Sequence, residues 1–333
     1  MARIKDVAEL AGVNRSTVSR IINGEGKFKE ETRRKVEEAM KTLNYRPSAI
    51  ARSLATSSTN MVGLLVTYYT GGFFGTMMDQ VQTELDQHGK FLITAQGHHS
   101  SDGEKEAIQR FNDLRCEGYV LHSRYVSDEE LRTLSKAPTP FVLLDRDVPG
   151  LEERCITFNH LKASQIAVEF LLNQGHRKIA CITGPVHREN SLRRKQGYLD
   201  AMHDAGVEVM DSWLAEGDYG RESGYLAAKQ LLRNDSDFTA LYSCSEEMTV
   251  GALQYLHEVG IQVPEQLSIV SFDSIDRCED LYPTITSVHF PISEMARSAA
   301  LKLNNMIANK QGNVETQFEP QLRIRHSHKK IDV

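Results

Sequence analysis

From Met61 to Asp273 the chain repeats one pattern: a short, continuous apolar run, then a stretch of helical period. "MVGLLVTY" (61–68) is apolar almost throughout, as expected of a strand buried on both faces. An amphipathic stretch at 75–88 and a second run, "KFLITAQG" (90–97), come next. "AIQRFNDLRCEGYVLHS" (107–123) reads as helix then strand, and "PTPFVLLDRD" (138–147) as a further strand. The cycle restarts after Asn159 with helix 162–174, strand "KIACITG", helices 191–205 and 221–233, strand "ALYSCS", helix 247–258 and strand "LSIVSFD". A last strand is expected at "PQLRIRHS" (320–327). Strands separated by whole helices form parallel sheets covered on both faces. Two successive sets predict two lobes, with a ligand expected at the carboxyl ends of the strands.

The first sixty residues are of another kind. They hold 12 Lys and Arg against 7 Asp and Glu, a net of +5, whereas the remainder carries −11 of the total −6. A basic head on an acidic body suggests that the head meets a polyanion. Ile4, Val7, Ala8 and Ala11 recur on one face of a first helix, and Gly12 supplies a left-handed stop. Asn14 is placed to cap a second helix, on which Val18, Ile21 and Ile22 face inward. A third helix starts near Glu30, with Val36, Ala39, Met40 and Leu43 as its apolar stripe. Two short helices around a tight turn and a third in support make a helix-turn-helix module. Its second helix turns Arg15, Ser16 and Arg20 away from the core, and the planar fork of arginine bonds guanine O6 and N7 together. The same pattern also fits a solvated helix whose arginines face water.

"IKDVAELAGVNRSTVSRIING" followed by "ETRRKVEEAMKTLNYRPSAIARSL" resembles the lactose/galactose repressor family of bacterial transcription regulators. The similarity covers nearly every position of the first 54 residues and continues to the C-terminus; overall, with "AIQRFNDLRC" (107–116) and "PGLEERCI" (149–156) included, it is greatest to the galactose and β-glucoside operon repressors. The chain departs from the family at Lys29, where a Ser or Thr cap is usual; losing a cap costs about 1 kcal/mol. The resemblance implies that Arg15, Ser16, Thr17, Arg20 and Asn23 read operator DNA. It also gives "PSAIARSL" a role, although an isolated helix this short is marginal in water. In the family this segment is a hinge helix that folds on the operator, with Ala51 allowing close approach and Leu54 wedging into the minor groove. "ATSSTN" (55–60) reads as plain linker.

For the body, the resemblance implies a periplasmic-binding-protein-like fold whose chain crosses between lobes near 160, 290 and 320. The expected fold class is therefore α/β: a small all-α helix-turn-helix head plus a two-lobed body with parallel sheets. The expected division is 1–46 for the head and 47–60 for hinge and linker. Residues 61–160 with 291–320 make the N-terminal lobe, and 161–290 with 321–333 the C-terminal lobe. The family's effector positions fall on loops after strands, at Phe73 and Phe74, Arg188 and Asn190, Arg194, Tyr219, Glu246 and Asp273. Aromatics mixed with arginines and carboxylates suit a polyol; as plain structure, the phenylalanines read as core and Arg188 or Arg193 as exposed. Gly71-Gly72, Asn159 and Ser245-Glu246 each depart from the family's usual residues, moving or removing a sugar-hydroxyl partner.

Other classes fit less well. There is no GxSxG, Walker A loop, GxGxxG after the first strand, or HExxH, so no enzyme is expected. Five scattered cysteines without a CxxC pair read as reduced thiols, and neither metal nor cofactor is expected. No run of about eighteen apolar residues is present and no secretory stretch opens the chain, so cytoplasm is expected and no membrane partner. Only six residues follow the last strand and they form no heptad segment, which suggests a homodimer. The expected function is a repressor of a carbohydrate-utilisation operon, released from palindromic double-stranded DNA by a sugar or glycoside. The alternative is a corepressor-type regulator answering to a phosphorylated sugar or another metabolite.

Overall fold

The structure, a computed structural model, describes residues 2–22, 26–45, 58–233 and 237–331. The head consists of helices Ile4–Ala11, Arg15–Ile22 and Glu30–Thr42. Val7, Ala8, Ala11, Val18, Val36 and Ala39 are buried together at their centre. Gly12, at φ +64, closes the first helix by donating its N–H to the Ala8 and Glu9 carbonyls, a conformation a side chain would strain. At the other end Asp6 Oδ2 accepts the Arg3 N–H at 2.8 Å. Lys29 precedes the third helix without a side-chain cap, and Glu30 and Glu31 place negative charge on its first turn instead.

The body contains two six-stranded sheets. The strands in chain order are β1 (Met61–Val66), β2 (Phe91–Gln96), β3 (Gly118–Leu121), β4 (Phe141–Leu144), β5 (Cys155–Phe158), β6 (Ile179–Thr183), β7 (Leu214–Glu216), β8 (Ala240–Ser243), β9 (Ser268–Asp273), β10 (Thr286–His289), β11 (Gln317–Phe318) and β12 (Gln321–Arg323). The first sheet runs β11-β5-β4-β3-β1-β2 and the second β12-β10-β9-β8-β6-β7. Every pairing is parallel except β10 with β12, which is antiparallel. The chain passes between the sheets three times: after β5, after β10, and between β11 and β12.

The apolar runs form central strands because both sheet faces are covered: β1, β3, β4, β6, β8 and β9 are buried almost throughout. Helix Gly72–Asp86 begins three residues before the expected 75–88, which puts Phe73 and Phe74 in its first turn. Two helices, Asp128–Leu134 and Ile292–Ile307, lie where the sequence pattern assigned none. The second packs Met295, Ala296, Ala299, Ala300 and Leu303 inward, against helix Gly72–Asp86 and strands β3 and β4. The linker reading of 55–60 fails at its last residues. Thr59 Oγ1 donates to the Arg115 carbonyl at 2.7 Å, and Asn60 N–H to Glu117 Oε1 at 2.9 Å. Glu117 also accepts from Ser58 and pairs with Lys90, so these residues are bound to the first lobe.

Candidate ligand-binding cleft

Strand ends from both sheets open on a cavity of about 370 Å³. From the first lobe come Tyr68, Phe73 and Phe74 after β1, His122 and Arg124 after β3, and Asp145 after β4. From the second come Arg188, Asn190 and Arg194 after β6, Tyr219 after β7, Glu246 after β8, and Phe272 and Ser274 around the end of β9. Seven of the eight expected positions therefore meet here: Phe73, Phe74, Arg188, Asn190, Arg194, Tyr219 and Glu246. Asp273 does not. Side chains alternate along a strand, so β9 turns Phe272 and Ser274 to the cavity and Asp273 to the opposite side. There Asp273 is wholly buried, its Oδ2 3.9 Å from Arg325 Nη2, and burial, partly offset by Arg325, pushes its carboxyl up.

The aromatic wall is built locally and across a chain crossing. Gly71, at φ +89, turns the chain into helix Gly72–Asp86. Phe73 and Phe74 then meet edge to face at 5.0 Å, and Phe73 stacks on Phe290, from the second crossing, at 5.7 Å. Opposite them Arg194, only 5% exposed, lies with its guanidinium carbon 3.8 Å from the centre of the Phe272 ring. A charge over an aromatic face in a desolvated place is stabilised by the ring quadrupole.

Arg194 is also the first member of a buried chain of polar contacts. Its Nη1 donates to the Cys244 carbonyl and its Nε to His160 Nδ1 at 3.2 Å. His160 Nε2 meets Asp145 Oδ1 at 2.7 Å, Asp145 pairs with Arg124, Arg124 Nη2 meets His122 Nε2 at 2.7 Å, and His122 Nδ1 meets Thr67 Oγ1 at 3.1 Å. Guanidinium groups only donate, so the nitrogen facing each arginine must be bare. By that assignment His160 carries its proton on Nε2 and gives it to Asp145, while His122 carries its proton on Nδ1 toward Thr67. Both rings are neutral. Burial lowers both histidines below their ordinary value; Arg124 adds to this for His122, and Asp145 opposes it for His160. Burial alone would raise Asp145, but the His160 ring and the Arg124 guanidinium hold it well below the usual carboxylate range.

Two residues here adopt left-handed backbone without being glycine, Asp145 at φ 56 and Tyr219 at φ 73. Such conformations cost about 1–3 kcal/mol each and collect at functional sites. Gly184 makes room for Tyr219, since a Cβ there would lie 2.2 Å from its ring. Glu246 is buried and accepts from Ser274; burial raises its carboxyl, with the Ser274 hydrogen bond in opposition. Arg188 Nε, Asn190 Oδ1, Ser191 Oγ and Tyr219 Oη are buried with no hydrogen-bond partner among the described residues. Tyr68, His122, Arg124, Asp145 and Phe290 were missed from sequence. The signal for three of them was available: "HSR" and "LDR" are polar residues directly following apolar strands.

In the head, Arg15, Ser16 and Arg20 are exposed on the second helix, Thr17 is half-buried and Val18 is fully buried. Arg20 folds back over the Phe28 ring at 5.5 Å. Asn23, Ala51 and Leu54 lie outside the described residues.

The family model of bacterial regulatory proteins, lacI family, matches residues 3–48, and that of the periplasmic binding protein-like domain matches residues 168–328. Over 328 residues the chain is 35% identical to the HTH-type transcriptional regulator GalR of Escherichia coli (strain K12), covering 98% of this chain and 96% of that one. The chain belongs to the lacI family of bacterial regulatory proteins. It is a DNA-binding transcriptional regulator, and the relatives it matches are named as regulators rather than enzymes. The lac repressor dimer bound to operator and the anti-inducer ONPF shares the fold, at a TM-score of 0.87 and 23% identity over 98% of this chain and 99% of that one. The complex of the transcriptional regulator CelR with cellobiose matches at a TM-score of 0.71 and 28% identity, covering 98% of this chain and 100% of that one. Among the described residues, no helix of this lacI-family regulator is long and apolar enough to cross a membrane.

Proposed function

We propose that this regulator binds a palindromic operator as a homodimer in the cytoplasm and is released when a sugar or glycoside fills the cavity between its lobes. Residues 1–46 form the reading head, and Arg15, Ser16, Thr17, Arg20 and Asn23 meet the DNA. Residues 47–60 join head to body, with Ala51 and Leu54 as minor-groove contacts. Residues 61–160 with 291–320 form one lobe of the effector domain, and 161–290 with 321–333 the other.

One observation carries the effector reading. The cavity presents aromatic faces at Phe73 and Phe74 beside buried polar atoms that have no hydrogen-bond partner among the described residues, Arg188 Nε and Asn190 Oδ1. A buried donor or acceptor left unpaired costs about 1–3 kcal/mol. A ligand with an apolar ring face and a rim of hydroxyls relieves both atoms, which is the makeup of a pyranose. The CelR–cellobiose complex, similar along the whole chain, adds support. The test is an operator-binding titration with a panel of mono- and disaccharides. A member that weakens operator binding and loses its effect in Asn190→Ala supports the reading; a panel without any effect, or an effect unchanged in that variant, ends it.

A further inference from the structure

We infer that the effector carries an anion, a phosphate or a carboxylate, and that Arg188 is the residue that receives it. The inference rests on the sugar reading and narrows it to an acidic sugar derivative. It comes from a pairing of the cavity's charges. Arg124 is committed to Asp145, and Arg221 gives its Nη2 to Gln254 at 2.8 Å. On the acidic side, Glu247 is held by Arg277 at 3.2 Å, and Asp218 is exposed and accepts the Gly220 N–H at 2.7 Å. Glu246 is buried against Ser274. Arg188 and Arg194 face the same cavity with no carboxylate at ion-pair distance among the described residues. Among the described residues Arg188 and Arg194 thus lack a paired carboxylate, while the buried acid of the cavity, Glu246, is bound to the neutral Ser274 hydroxyl and has its carboxyl raised by burial.

The two arginines are not equivalent. Arg194 is built into the wall by the Cys244 carbonyl, His160 and the Phe272 ring. Arg188 directly precedes helix Glu189–Asp204, beside the hydroxyls of Tyr68 and Tyr125 from the first lobe, with its guanidinium carbon 5.8 Å from the centre of the Tyr219 ring. Its Nε is buried, with no hydrogen-bond partner among the described residues. Arg188 and Asn190 also line an adjoining chamber of about 390 Å³, so they stand where the two spaces join. Arg188 is half-buried with its Nε enclosed, and an anion would give it a counter-charge through paired, charge-assisted hydrogen bonds of fixed geometry. A neutral hydroxyl supplies an acceptor but no charge. The geometry fits a sugar ring against Phe73 and Phe74 with its acidic substituent pointing to Arg188.

The test uses the full chain and matched probes: glucose, glucose 6-phosphate and glucuronate, the corresponding galactose set, and inorganic phosphate alone. Affinities are read by calorimetry and stabilisation by thermal melting, for the wild type, Arg188→Met and Arg188→Lys. For at least one sugar, an acidic form is expected to bind roughly 10- to 100-fold more tightly than its neutral parent. The phosphate and carboxylate arms decide which acid it is. Arg188→Met abolishes the preference, and Arg188→Lys keeps part of it. Neutral parents binding as tightly as their acids, or a preference that survives Arg188→Met, overturns the inference. Should Arg188→Met fail to fold, the wild-type ratio decides alone. If sugars bind without regard to charge, the sugar reading stands and the anion falls. If no sugar binds but inorganic phosphate stabilises the wild type and not Arg188→Met, the anion site stands and the sugar reading falls. If no probe binds, both fall.

Discussion

The contact between Asp145 and Arg124 lends itself to a quantitative prediction. Their side chains are 2% and 10% exposed, so solvent screens the pair little. In Asp145→Asn the amide oxygen can still accept the His160 N–H, but the NH2 group then faces the Arg124 guanidinium, so the charge and the Arg124 hydrogen bond are lost together. Arg124 is then left buried beside His122, itself a neutral ring, with no counter-charge. Removing one partner of a buried pair typically costs about 3–5 kcal/mol. Reversible urea unfolding followed by circular dichroism reads the change. Arg124→Met should cost a similar amount, because it leaves the Asp145 carboxylate buried with only His160 for support. The double variant removes both charges, so its loss should fall short of the sum by about 1–3 kcal/mol. A single-variant loss below about 1 kcal/mol, or simple additivity in the double, would refute the reading of Asp145 and Arg124 as an energetically coupled buried pair.

Other predictions concern protons, DNA and ligand. His160 and His122 have folded values depressed by burial, so the unfolded chain takes up protons first as pH falls through its ordinary value of 6.5. Their contribution to stability is complete above that value and declines below it, by at most about 1.4 kcal/mol per pH unit for each ring. Glu246 and Asp273, with raised values, act with the opposite sign. Stability of His160→Asn should therefore fall less steeply than that of the wild type between pH 6.5 and 5.5, as read by urea unfolding at each pH; parallel profiles would contradict the neutral-ring assignment. Arg20→Ala should relax preference at one base of each half-site by about 1–3 kcal/mol in a binding-site selection assay. Equal weakening on all sequences would make Arg20 a phosphate contact. Arg194→Ala should abolish effector-driven release while operator binding persists, since its contacts are confined to the cleft.

How far the sequence could be read followed from the length and the continuity of its apolar runs. β1 and β9, six residues each, were legible because an unbroken apolar run of that size is too short for a helix and suits a strand covered on both faces. β3 and β4, four residues each, still showed as fully apolar or nearly apolar runs, whereas β5, β7, β10 and β11 are as short or shorter and mix polar residues into the run. Helix Asp128–Leu134 announced itself through Ser127 and Glu130, which cap it reciprocally, yet its short length hid it. Asp273 was misplaced because it was read from its loop, although it ends a strand in which neighbouring side chains diverge. The buried polar chain was beyond reach on different grounds. His160 and Asp145 are 15 positions apart, and Arg194 and His160 are 34 apart, so only the folded topology joins them.

The fastening of Thr59 and Asn60 to Arg115 and Glu117 bears on how a message leaves the body. A slack cord would let the first lobe shift while its free end stayed where it was. With Ser58 held by the same Glu117 that clasps Asn60, the cord is clamped at its root, so residues 58–60 are fixed to that lobe rather than hanging free of it.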